Sequence, residues 1–67
     1  MSITYKKLWK LLIDREMNKT QLKDEAQVSS NVIAKLGKDE PVSIETLVKI
    51  CVVLGVDIGD IISLKAK

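Results

Sequence analysis

Sixty-seven residues make one small domain, with little room for both a stable core and a catalytic cleft. Hydrophobic residues are 46% of the chain and the net charge is +2, which argues against disorder but selects no partner. No histidine occurs and Cys51 is the one cysteine, so imidazole catalysis and an intrachain disulfide are excluded and a zinc site lacks soft ligands.

The chain opens with a predicted helix over 4–16. Tyr5, Leu8, Trp9, Leu12 and Ile13 recur at helical spacing as its inner face, and Lys6, Lys7, Lys10 and Asp14 take the outer one. Thr4 is the expected N-cap. The apolar run 8–13 is short and split by Lys10, so it is no signal peptide, and no run approaches a membrane span. A cytoplasmic location is the default expectation.

Met17 and Asn18 break the pattern. Asn18 caps a second helix, with Gln21 three residues on as its capping-box partner. Leu22 and Ala26 face inward, and Gln27 and Val28 make a turn. Ser29 caps a third helix that runs to about Lys38 and buries Val32, Ile33 and Leu36. Gly37, Asp39 and Pro41 punctuate the next loop.

Ser43 caps a fourth helix with Ile44, Leu47, Ile50, Cys51 and Leu54 as its apolar stripe, and Gly55 ends it. Asp57 caps a last short helix carrying Ile58, Ile61 and Ile62. Leu64 lies at its end, and 65–67 are a tail. Strand alternation, repeats and low-complexity segments are not visible. The expectation is all-α: five short helices in one compact domain covering 1–67.

The stretch 18–36, NKTQLKDEAQVSSNVIAKL, thus reads as two short amphipathic helices joined by a tight turn. That is the pattern of a helix-turn-helix, here about 18–38, a device for setting one helix in the DNA major groove. Asn18-Lys19-Thr20-Gln21-Leu22, Val28-Ser29, Val32-Ile33-Ala34-Lys35-Leu36, Leu54-Gly55-Val56 and the last turn Asp57 to Ile62 follow in order. On those residues the chain resembles the lambda-repressor and Cro-type helix-turn-helix family, also called the XRE family, in its short stand-alone bacterial or phage form.

Three positions depart from the family pattern. The turn glycine is Gln27, where a left-handed residue costs about 1 kcal/mol without glycine. The small residue at the close crossing of the two helices is Lys23, whose stem can lie along the crossing with its amine in solvent. The basic–acidic pair that links the first and third helices in many members is replaced by Leu12 and Gly37, which leaves apolar packing in its place.

The resemblance implies a sequence-specific regulator of transcription, a repressor, that inserts helix 29–38 into the major groove of double-stranded DNA. It also implies that base edges are read by Ser29, Ser30, Asn31 and Lys35. The chemistry suits that role, since asparagine bridges adenine N6 and N7 and lysine donates to guanine O6 and N7. Ala34 clears space or touches a thymine methyl. Ser29 acts as an N-cap in any case.

Lys19 carries a separate argument. A cation in the first turn of a helix opposes the dipole, and a phosphate at that end reverses the sign. Lys19 is therefore a candidate phosphate contact, with Lys38 next, and Lys10 and Lys6 as further candidates on the first helix. No acid occurs from Ala26 to Lys38, and Asp24 and Glu25 are expected to point away from DNA.

Family members bind pseudo-palindromic operators as homodimers, which makes the apolar C-terminal residues Ile58, Ile62 and Leu64 a candidate dimer surface. No cofactor, metal or membrane is expected. Trp9, Met17 and Cys51 are read as core. An alternative is a protein-interaction module, an antitoxin or anti-regulator that uses the same fold to mask a partner. An enzyme is disfavoured, because no nucleophile–base pair or metal cluster is visible.

Overall fold

In the computed structural model, residues 2–65 are described. Strand β1 (Ser2–Thr4) leads into α1 (Lys6–Asp14), α2 (Lys19–Ala26), α3 (Ser30–Gly37) and α4 (Ile44–Leu54). A 3₁₀ turn (Ile58–Asp60) and strand β2 (Ser63–Lys65) follow.

The helix boundaries follow from local hydrogen bonding. The Asn18 side chain accepts from the Gln21 N–H at 2.8 Å, and the Gln21 side chain accepts from the Asn18 N–H at 2.9 Å. Two of the orphan donors at the start of α2 are thereby satisfied. Ser29 Oγ accepts from the Val32 N–H, and Ser43 Oγ from the Thr46 N–H, each at 3.2 Å. Helix α4 ends at Gly55, which sits at φ 69° in the left-handed region that glycine enters without strain. Helix α1 is shorter than the span 4–16. Thr4 Oγ1 still accepts from the Lys6 N–H at 3.2 Å, but Tyr5 is the N-cap residue. At the far end Glu16 turns left-handed at φ 54°, and the Met17 N–H returns to the Leu12 carbonyl at 2.9 Å.

The expectation of five helices without strands is corrected. Among the described residues, four α-helices and one 3₁₀ turn form, and residues 2–4 and 63–65 pair as an antiparallel sheet with Ser2 opposite Lys65, Ile3 opposite Leu64 and Thr4 opposite Ser63. Three-residue strands are too short to show a period of two, and their partner lies at the other end of the chain. Leu64 and Lys65, read as a helix end and a tail, are therefore strand residues. The remainder of that tail, 66–67, lies outside the described residues.

The core gathers Tyr5, Leu8 and Leu12 with Leu22 and Ala26 of α2, Leu36 of α3, Leu47, Ile50, Cys51 and Leu54 of α4, and Ile61. Each fully buried leucine or isoleucine contributes about 1.5–3 kcal/mol. Trp9, Met17, Val28, Val32 and Ile33 pack half-buried against this cluster. Helix α2 packs on both α3 and α4, and Lys23 on it is half-buried.

Two apolar assignments change. Ile13 and Ile44, read as inward, are 75% and 67% exposed. Each lies at the edge of its helix's apolar face, where the neighbouring elements do not reach. Conversely, Ile58 and Ile62, expected on a dimer surface, pack half-buried against the core, and only Leu64 of that trio is exposed.

Candidate nucleic-acid interface

Helix α2, a short turn and α3 form the helix-turn-helix. Gln27 makes the turn at φ 56° and ψ 48°, with its N–H and that of Val28 both returning to the Lys23 carbonyl. The chain thus adopts the left-handed geometry the turn demands without a glycine. Ser29 is extended, at φ −82° and ψ 164°, and launches α3.

On α3, Val32, Ile33 and Leu36 point to the interior, while Ser30, Asn31, Ala34 and Lys35 are exposed. Asn31 and Lys35 are four residues apart and so lie on one face, one turn from each other. Ser29 is exposed too, but its oxygen is engaged in the cap, so its hydroxyl hydrogen is what remains to offer. Lys38 is the C-cap residue of α3 and is exposed. The exposed side of α3 and its C-cap carries lysine and neutral polar groups and no carboxylate.

The start of α2 meets the start of α3 across a shallow cleft of about 210 Å³, lined by Lys19, Thr20, Lys23, Ser30 and Ile33. Two lysines and the first turns of two helices border it, a combination that favours an anion. The Lys19 ammonium is not free in solvent. It lies 4.7 Å from the centroid of the Trp9 ring, a cation–π contact worth about 0.5–1 kcal/mol at an exposed site. A Cβ added at Gly37 would come within 4.0 Å of the same nitrogen. Trp9, read as plain core, is therefore half-buried with one face used by a candidate phosphate ligand. The Leu12–Gly37 replacement divides in the same way, with Leu12 buried and Gly37 leaving space beside Lys19.

Lys10 stands apart from this group. It borders a depression shared with Lys7, Leu11, Asp14, Val56 and Asp60, on the side of α1 where the Lys7 ammonium donates to the Gly59 carbonyl at 3.0 Å.

Tyr5, expected on the inner face of the first helix, is buried, but its bond to the loop residue Asp39 was not expected. Asp39, at φ 57°, accepts the Tyr5 backbone N–H at 3.0 Å and the Lys65 ammonium at 3.1 Å. These bonds hold its carboxyl below the usual carboxylate range, the Tyr5 N–H contributing most and Lys65 next. The Tyr5 hydroxyl donates to the Glu40 carbonyl at 2.8 Å, and burial pushes this phenol's pKa up. Together they tie the segment just after α3 to the start of α1 and to β2. The signal available in sequence was only an aspartate in a loop.

The Cys51 thiol is buried and its pKa is raised, by burial first and then by Asp57 and Asp60, so it stays protonated at neutral pH. Among the described residues, no group of three or more histidine, cysteine, aspartate or glutamate side chains is placed to hold a metal ion, and no helix is long and apolar enough to cross a membrane.

A family model described as a Cro/C1-type HTH DNA-binding domain matches residues 7–67. Among solved structures, the crystal structure of transcriptional regulator VanUg, Form II, is similar over 98% of this chain and 88% of that one. The two share 48% sequence identity and superpose with a TM-score of 0.93. A comparison with curated proteins gives no match.

Proposed function

The chain belongs to the Cro/C1-type helix-turn-helix DNA-binding family, and on that premise we propose that it is a sequence-specific regulator of transcription, acting as a repressor by occluding a promoter. Helix α3 enters the major groove of double-stranded DNA. At about 12 Å long it matches a groove roughly 12 Å wide. Asn31 and Lys35 read base edges, with Ser30 and the hydroxyl of Ser29 beside them, each good contact worth about 1–3 kcal/mol of discrimination. Lys19 and Lys38 hold phosphates on either side of α3. Lys10, beside Asp14 and Asp60, is a third and more distant phosphate contact. Two copies bind a pseudo-palindromic operator with half-sites about one helical turn apart.

The observation that carries this reading is the exposed, carboxylate-free face of α3, with Asn31 and Lys35 one turn apart on it. The solved relative supports it, since that protein is described as a transcriptional regulator.

The test is selection of bound duplexes from a random DNA library at near-physiological salt. Enrichment of a pseudo-palindrome with half-site centres about 10 base pairs apart is expected. The Asn31→Ala, Lys35→Ala double variant should keep its thermal melt and lose the enriched preference. Retention of DNA without enrichment would reduce the function to backbone binding. A folded protein that retains no duplex would replace this reading with the protein-interaction module.

A further inference from the structure

Lys19 is held by neighbours that its place in the sequence does not suggest. It opens α2, where the helix dipole disfavours a cation. Its ammonium nevertheless lies 4.7 Å from the centroid of the Trp9 ring on α1. The last residue of α3 is near as well, since a Cβ added at Gly37 would stand 4.0 Å from the same nitrogen. That end of a helix favours a positive charge, and Gly37 brings no side chain to compete for the ammonium. Among the described residues the one ion pair joins Lys65 to Asp39, so no carboxylate neutralises Lys19. Lys19 and Gly37 are exposed, and Trp9 is half-buried between two surface clefts, one shared with Lys19 and the other with Gly37.

We propose that Trp9 is the positioning residue for this lysine: its ring holds the Lys19 ammonium beside the end of α3, ready for one phosphate of the DNA backbone. Given the DNA-binding reading above, on which this role rests, Trp9 acts on affinity through Lys19. A ring face attracts a cation by its quadrupole and leaves the net charge in place. A carboxylate in the same position would cancel that charge and would have to be displaced by the phosphate. The ammonium has three donors, so contact with the ring on one side leaves N–H groups for a phosphate oxygen on another.

Two effects make the ring favour binding. Lysine carries its charge on a flexible stem, and a stem already held has less freedom to lose when it meets the phosphate. The contact also strengthens as the duplex excludes water, because a desolvated cation–π pair is stronger than an exposed one. Loss of the ring should therefore weaken DNA binding by about two- to fivefold.

Trp9 is the only tryptophan of the chain, so fluorinated tryptophans enter at this one site and drain negative charge from the ring face with little change of shape. Affinity is read by fluorescence anisotropy on a labelled mixed-sequence duplex of about 20 base pairs at fixed low salt, since backbone contacts need no particular sequence. A stepwise loss is expected as fluorines are added, with an unchanged circular dichroism spectrum, and no such loss in Lys19→Ala. Trp9→Leu should weaken the parent by the full amount and Trp9→Phe by less, because phenylalanine keeps a ring. An affinity indifferent to fluorination would overturn the proposal. So would Trp9→Leu weakening Lys19→Ala as much as it weakens the parent, which would make Trp9 a support of the fold alone. Proton NMR of the DNA-free chain separates this role from the DNA-binding reading. The ring current of Trp9 should move the Lys19 ε-methylene protons upfield, and Trp9→Leu should abolish that shift. A parent that binds the duplex without the shift overturns the ring contact alone. A parent that shows the shift but binds no duplex keeps the contact, removes the DNA-binding function and overturns the role of Trp9 in it.

Discussion

Asp39 joins three separate parts of the molecule through one carboxylate, by way of the Tyr5 N–H, the Lys65 ammonium and its own place just after α3. Its folded pKa lies below its unfolded value, so its contribution to stability is present in full above the unfolded pKa of about 3.9. It is lost as pH falls through the lower folded value. Thermal melts taken from about pH 5 down to about pH 2 should therefore fall less steeply for Asp39→Asn than for the parent. Equal slopes would mean that the carboxylate is not held by these partners. Lys65 is half exposed, so the ion pair itself adds little. The backbone N–H is the stronger partner, and Asp39 therefore matters mainly for where it fixes the loop that carries Lys38.

The elements owe their ends to single residues, and one of those residues is poorly matched to its backbone. Gln27 holds φ 56° at the turn of the helix-turn-helix, whereas Gly55 holds φ 69° at the end of α4. A non-glycine residue there costs about 1 kcal/mol, offset in part by the greater freedom glycine has in the unfolded chain. Gln27→Gly is expected to stabilise by about 0.5–1 kcal/mol, which raises the melting temperature by roughly 2–8 °C in a domain of this size. A lower melting temperature would show that the glutamine side chain contributes more than its backbone costs. The caps at Asn18, Ser29 and Ser43 were all legible, because each depends on a bond to a residue three positions along. The two strands were not, because Ile3 and Leu64 meet only after the whole chain between them has folded.

At the scale of the whole molecule, the charges that would meet DNA are unevenly placed. Lys19 and Lys23 border the cleft between the starts of α2 and α3, Lys38 caps the end of α3, and Lys10 lies beside Asp14 and Asp60. Each phosphate contact contributes about 0.9 to the slope of log affinity against log salt concentration. Lys19→Ala and Lys38→Ala are each expected to lower that slope by about one and to weaken binding evenly across sequences. Lys10→Ala should change it least. Binding isotherms across a salt series check this, and an unchanged slope in Lys19→Ala would remove it from the phosphate contacts. The contact of Lys19 with Trp9 adds to the expectation, since an ammonium already seated on a ring has less freedom to lose on meeting a phosphate.

Local signals in the sequence placed the four α-helices to within a few residues and the caps at Asn18, Ser29 and Ser43, while the turn at Gln27 and the outward set Ser30, Asn31 and Lys35 were expected from the resemblance. The helices and these caps follow from hydrogen bonds and periodicities that act over three or four residues, and such signals survive in the bare sequence. The tertiary structure decided the rest. It paired the chain ends, turned Ile13 and Ile44 outward and Ile58 and Ile62 inward, seated Lys19 on Trp9, and tied Asp39 to Tyr5 and Lys65. An apolar residue is equally apolar whether or not a neighbour covers it. Which apolar residues of α4 enter the core, and which stay exposed, depends on how residues far apart in the chain come together.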